Sequence, residues 1–166
     1  MIKKIGLISD THGHWDDKFY KYFQHCDEIW HAGDIGQINI TDKLNKIAPL
    51  KGVYGNIDNN TIRQEFPKEL LIKHGNLDIY MTHIGGTPLK YNKYCKEIFK
   101  KYSPQVFICG HSHICKIVYD KNFKLLYINP GASGIIGFHR VRTIIRFELH
   151  HDFIKNVEVI ELGLRA

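Results

Sequence analysis

The chain has 166 residues, 43% of them hydrophobic and 24% charged, with a formal net charge of +6. That composition is ordinary for a globular fold in water, and the length suits one domain, residues 1–166, burying about 70% of the surface its unfolded chain exposes. No apolar run nears the roughly 20 residues a bilayer span needs. Met1-Ile2-Lys3-Lys4-Ile5 leads directly into a predicted strand with no signal-peptide pattern, so a cytoplasmic location without a membrane partner is expected.

Ile5-Gly6-Leu7-Ile8-Ser9 is an apolar run without alternation, which suits a strand buried on both faces of a helix-covered sheet. It ends in Asp10-Thr11-His12-Gly13, at the carboxyl end of the strand, where such sheets collect ligands. Asp10 and His12 are two apart, so an extended backbone would point both side chains the same way. The alternative is that Asp10 only caps a following helix. Trp15 to Gln24 predicts a helix with Asp16 and Asp17 in its first turn. Glu28 to His31 reads as a second strand, followed at once by Ala32-Gly33-Asp34. Thr41 to Ile47 predicts a helix with Thr41 as N-cap and Pro49 beyond its end. Leu50 to Tyr54 is a third strand, stopping at Gly55-Asn56-Ile57-Asp58. These repeated strand–loop–helix cycles argue for βαβ units and a parallel sheet.

The pattern then changes. Glu69 to His74 and Leu77 to His83 read as strands joined by a turn at Gly75-Asn76. Leu89 to Tyr102 predicts a helix that exposes Lys90, Lys93, Lys96, Lys100 and Lys101 and buries Tyr94, Ile98 and Phe99. Gln105 to Cys109 is a buried strand ending at Gly110. Lys116 to Tyr119 and Lys124 to Ile128 flank a turn at residues 120–123, and Thr143 to His150 pairs with Phe153 to Leu162. This hairpin-rich half fits a second sheet packed on the first. Cys26, Cys95, Cys109 and Cys115 form no C-x-x-C pair and read as small buried hydrophobes.

Strand ends hold the chemistry. Asp10 and His12, Asp34, Asn56, His83, and His111 with His113 occupy five separate loops, several beside a glycine. A chain with 11 histidines places some at strand ends by chance, but not this set in five loops. Asp10-x-His12, Gly33-Asp34, Gly55-Asn56, His83 and Gly110-His111-Ser112-His113, in that order, resemble the calcineurin-like metallophosphoesterase superfamily. The compact length resembles its small branch of single-domain phosphodiesterases, which shares a fold with a non-catalytic retromer subunit, and Asn129-Pro130-Gly131 resembles a further loop of that branch.

The resemblance implies an α/β fold, a four-layer αββα sandwich of two mixed β-sheets flanked by helices. It also implies metal-dependent hydrolysis of a P–O bond, most simply in a small phosphodiester, by a hydroxide bridging two metals. By the family pattern Asp10, His12 and His113 would hold one cation and Asn56, His83 and His111 the other, with Asp34 bridging both. Asp34, Asn56 and His111 would then carry the catalysis. Imidazole and carboxylate ligands suit Mn²⁺, the first choice here, and also Fe²⁺, Zn²⁺, Co²⁺ or Ni²⁺.

The chain departs from the family at Ile57, where many relatives carry a histidine that helps protonate the leaving group. A missing general acid costs about 10²–10⁴-fold, so aryl diesters should be handled better than alkyl monoesters. His14 and His139 are the candidate substitutes, as proton donors or substrate contacts. His31 reads as a hydrogen-bond partner behind the ligands or as a core residue, Asp58 as a brace of the Asn56 loop, and Arg140 and Arg142 as candidate phosphate contacts. Two alternatives stand beside the enzyme: a non-catalytic interaction module on the same fold, and a nuclease on single-stranded nucleic acid, suggested by the basic charge but not favoured. The oligomeric state is open.

Overall fold

A computed structural model describes residues 1–166. The chain opens with β1 (Lys3–Ile8), α1 (Lys18–Phe23), β2 (Glu28–His31), α2 (Ile38–Ile47), β3 (Leu50–Gly52) and α3 (Asn60–Glu65). A hairpin of β4 (Glu69–His74) and β5 (Leu77–Thr82) follows, then α4 (Lys93–Tyr102) and β6 (Val106–Ile108). Two more hairpins close the chain, β7 (Cys115–Asp120) with β8 (Leu125–Pro130), and β9 (Val141–Leu149) with β10 (Ile154–Leu164). The strands form two mixed five-stranded sheets, in the orders β10-β9-β1-β2-β3 and β4-β5-β6-β8-β7.

Strand alternation builds the layers, because successive side chains point to opposite faces. Ile5, Leu7 and Trp30 of the first sheet meet Leu77, Ile79, Met81, Val106, Ile108 and Ile128 of the second in one core between the sheets. Ile8, Ile29 and Ile144, on the opposite face of the first sheet, pack under Phe19, Phe23, Ile40, Leu44 and Ile62 of α1, α2 and α3. Tyr80, Phe107, Leu125 and Tyr127, on the far face of the second sheet, pack under Cys95 and Phe99 of α4. The order is therefore helix, sheet, sheet, helix. Gly6 matters to it: a Cβ there would strike the Phe23 ring, so only glycine lets α1 sit down on β1.

The last hairpin departs from the sequence expectation. It joins the first sheet rather than the second, with β9 antiparallel to β1 and Leu7 opposite Ile145. β1 needed a partner on the edge away from β2, and Ile145, Phe147 and Leu149 continue its inner face into the central core.

Three helices also begin elsewhere than predicted. α1 starts at Lys18, which leaves Asp17 at the N-cap position and Asp16 outside the helix, its carboxylate accepting from the Lys18 N–H at 2.9 Å. α2 starts a turn early because its buried stripe begins at Ile40; Thr41 is no cap but an interior residue whose hydroxyl donates to the Ile38 carbonyl at 2.6 Å. α4 starts at Lys93, after Asn92, whose side-chain oxygen accepts from the Cys95 N–H at 2.8 Å. Lys90 thus precedes it. Tyr94 stands exposed with its hydroxyl on Glu69, so Cys95 and Phe99 are the buried stripe. α3, capped by Asn59, is an addition. No helix is long and apolar enough to cross a membrane.

Candidate metal centre

The loops after β1, β2 and β3 leave the first sheet, and those after β5 and β6 leave the second, toward one shared edge. Backbone bonds extend the β1–β2 pairing into the loops, with Asp10 N–H on the Gly33 carbonyl at 3.0 Å, His12 on Asp34 at 3.0 Å and Gly13 on Ile35 at 2.8 Å. The two sheets are tied together there by Ser133 N–H on the Ser9 carbonyl and Gly134 N–H on the Asp10 carbonyl, both 3.0 Å. Gly55 and Gly110 let the loops close in. A Cβ on Gly55 would overlap the Asp34 carboxylate, and one on Gly110 would overlap Ser9 Oγ and Asp10 Oδ2.

The extended path expected through Asp10 and His12 is not what brings them together. Asp10, His12, Asp34, His111 and His113 all adopt left-handed backbone, with φ of 53°, 45°, 55°, 69° and 62°. Such conformations cost about 1–3 kcal/mol each for non-glycine residues and persist where the surroundings over-determine them. Here the inter-loop bonds do so, and the turns swing the side chains inward.

Two groups result: Asp10, His12 and His113, and Asp34, His83 and His111, with the ligand atoms of each lying within 4.8 Å of one another. Asp34 Oδ2 sits between the groups, 3.4 Å from His12 Nε2 and 3.2 Å from His83 Nε2. Asp10 Oδ1 lies 3.1 Å from His113 Nε2 and 3.8 Å from both His12 Nε2 and His83 Nε2. Asn56 lines a cavity of about 270 Å³ alongside His83.

The atoms facing away from this convergence are tied down. Asp10 Oδ2 accepts from Ser9 Oγ at 2.7 Å and from the His111 N–H at 3.1 Å. Asp34 Oδ1 accepts from the Ile57 N–H at 3.1 Å. His83 Nδ1–H donates to the Ala32 carbonyl at 2.7 Å, which leaves Nε2 with its lone pair inward. His139 Nε2–H donates to the Gly134 carbonyl at 2.9 Å, so its Nδ1 accepts from His113 Nδ1–H at 3.2 Å and His113 Nε2 is likewise turned inward. By contrast Asp10 Oδ1, His12 Nε2 and His83 Nε2 are buried without a hydrogen-bond partner. Buried polar atoms are rarely left so, and a divalent cation fits them: two carboxylates and four imidazoles, with His83 and His113 braced through their outer nitrogens, are a metal donor set.

Charge agrees. Burial pushes the Asp10 and Asp34 carboxyls up, yet the histidines facing them prevail and hold both well below the usual carboxylate range. Asp10 and Asp34 in turn raise His12 to about 9, against the burial of its ring. His83, whose burial also opposes the shift, is raised by the same two carboxylates. His111 is lowered by burial and by His83.

The remaining sequence candidates have definite places. The Asp58 carboxylate accepts from the Gly55, Gly36 and Ile35 N–H groups at 2.7, 2.8 and 3.1 Å, bracing the Asn56 loop against the Asp34 loop. Fully buried His31 accepts from the Gly33 N–H at 3.1 Å and donates to Thr11 Oγ1 at 3.0 Å; burial lowers it to about 4, so it stays neutral. His14 Nε2 lies 3.3 Å from the Arg142 guanidinium, which is buried on Asp16. Arg140 is exposed, and all four cysteines are free and outside both groups. His139 is engaged through both ring nitrogens. Sequence reading did not foresee Ser9 or the Ala32 carbonyl behind the ligands; Ser9 read only as the end of an apolar strand.

The chain belongs to the calcineurin-like phosphoesterase superfamily, whose domain model matches residues 4–152. Among curated relatives it is 33% identical over 138 residues to a protein of Methanocaldococcus jannaschii named probable metallophosphoesterase, covering 79% of this chain and 68% of that one. Among solved structures, Vps29 of Chaetomium thermophilum superposes with a TM-score of 0.77 at 18% identity, over 96% of this chain and 97% of that one. A structure described as a novel archaeal phosphodiesterase superposes with a TM-score of 0.74 at 22% identity, over 96% and 99%. These two likenesses establish the shared fold.

Proposed function

We propose that this chain is a metal-dependent phosphodiesterase that takes two divalent transition cations, Mn²⁺ by preference. The observation that carries the reading is the trio of buried, unpartnered atoms Asp10 Oδ1, His12 Nε2 and His83 Nε2, converging while their neighbours' outer atoms are braced. A scaffold would gain nothing from leaving them unsatisfied, since each such group costs about 1–3 kcal/mol. Asp10, His12 and His113 would hold one cation, and Asn56, His83 and His111 the other, with Asp34 shared. When bound, such a pair supplies a water acidic enough to act as nucleophile at neutral pH and draws charge from the phosphoryl oxygens.

The chain's own residues do the rest. His139 holds the His113 ring in the tautomer that turns Nε2 inward, and the Ala32 carbonyl does the same for His83. Asn56 and His111 are the exposed members, placed to meet a phosphoryl oxygen. Ile57 offers no proton and its backbone N–H is spent on Asp34, so the leaving group departs unprotonated by this loop. Exposed Ile57, Ile84 and Ile114 border the opening and suit an aryl substituent. The test is Asp34→Asn assayed on bis(4-nitrophenyl) phosphate with Mn²⁺. The variant should stay folded and lose at least about 10³-fold in kcat/KM, as loss of a group acting in the transition state does; full turnover would overturn the mechanism.

A further inference from the structure

The cavity beside Asn56 and His83 has a character of its own. Tyr54, Arg63, Lys68, Thr82 and Ile84 complete its lining around about 270 Å³, and the lining contains no carboxylate. Pockets for whole drug-sized ligands run about 300–1,000 Å³, so this one takes a fragment of a substrate whose remainder lies over the metal ligands. Arg63 is fixed in place: Nε–H donates to the Asp58 carbonyl at 2.7 Å, one terminal N–H to the Asn56 carbonyl at 3.2 Å, and the guanidinium lies 4.6 Å from the Tyr54 ring centroid. A guanidinium has five N–H donors, so the others remain available. The lysines and arginines in ion pairs are Lys3, Lys51, Lys73, Arg142 and Arg146. Arg63 and Lys68 thus line the cavity without a carboxylate partner, the Lys68 ammonium lying 5.7 Å from the Tyr94 ring centroid.

We propose that this cavity is a subsite for a second phosphoryl group, so that the preferred substrate is a phosphodiester with a further terminal phosphate on one of its two arms. The substrate class rests on the phosphodiesterase reading; the anion subsite does not. Two cations converging on one phosphate make charge-assisted bonds, with Arg63 supplying direction and Lys68 a point charge.

The experiment compares two 4-nitrophenyl phosphodiesters of propane-1,3-diol, one with and one without a terminal phosphate on the diol. The scissile bond is the same in both, so the ratio of kcat/KM reads the subsite alone. The ratio should be about tenfold or more in favour of the phosphorylated arm, should persist in Lys68→Arg, and should collapse in Lys68→Glu. A ratio near one in the native protein, or one that Lys68→Glu leaves unchanged, overturns the proposal. Calorimetry with propyl phosphate, in the presence of a chelator, separates the two readings. If neither ester is hydrolysed with any cation but propyl phosphate binds and Lys68→Glu weakens it about tenfold or more, the enzyme reading falls and the subsite stands. No binding, or binding that Lys68→Glu leaves unchanged, sinks the subsite.

Discussion

At the scale of single residues, the ligand types were legible and the reason they meet was not. Asp10, His12, Asp34, Asn56, His83, His111 and His113 stand out because polar, metal-competent side chains follow apolar runs. Nothing in a sequence announces that a histidine will adopt left-handed backbone, as His12, His111 and His113 do, because that conformation is imposed by hydrogen bonds from loops distant in the chain. The role of His139 was hidden for the same cause, since it meets His113 across 26 positions. His139→Ala should weaken metal binding about 10–100-fold, the usual effect of removing the partner that orients a ligating histidine. Competition against a fluorescent chelator measures it, and unchanged affinity would show that His113 needs no such support. Ile57 makes the opposite kind of prediction. Its side chain is exposed at the opening, so Ile57→His adds a proton donor without disturbing the core. Turnover of alkyl esters should rise about tenfold or more relative to aryl esters; an equal change in both would place the missing acid elsewhere.

At the scale of elements, the strands were read more securely than the helices. A buried strand advertises itself by composition, and β2 and β3 fall within residues of their expected bounds. Helix starts depend on which side chain reaches back to the backbone, and Asn92 outcompetes Leu89 only once the chain has turned at Gly86. What holds neighbouring strands in register is also polar. Glu28 on β2 takes Lys3 of β1 at 2.5 Å and Lys51 of β3 at 3.0 Å, and accepts from the Trp30 indole at 2.9 Å. Burial pushes the Glu28 carboxyl up, but Lys3, Trp30 and Lys51 outweigh it and bring the group down to about 2 from an ordinary 4.5. The folded pKa lies below the unfolded one, so the unfolded chain binds more protons between those values. The network's stabilisation is complete above pH 4.5 and drains away as pH falls toward 2. Urea unfolding across that window should show a shallower pH dependence for Glu28→Gln than for the native chain, and parallel curves would remove the network from the account.

At the scale of the whole molecule, the site is a seam. Asp10, His12, Asp34 and Asn56 hang from the first sheet, while His83, His111 and His113 hang from the second. The architecture of two sheets was readable from the change of pattern after residue 58, but the return of β9 to β1 was not: Leu7 and Ile145 pair across 138 positions, and both edges offer equally apolar partners in sequence. That return closes the first sheet around the ligands, since β9 follows directly from the glycine-rich loop carrying Gly134 and His139. A cation held at the seam under the proposed function would link the sheets as well as serve chemistry, and would bind only the folded chain. At a free concentration 100 times its Kd a cation adds about 2.7 kcal/mol. At about 2–4 °C per kcal/mol for a chain of this size, the unfolding midpoint should rise by roughly 5–11 °C on loading with Mn²⁺ and fall back with a chelator. Asp34→Asn should blunt the rise, because Asp34 Oδ2 is the atom that faces histidines from both sheets. A midpoint indifferent to metal and chelator alike would mean that the two sheets cohere by their apolar core alone.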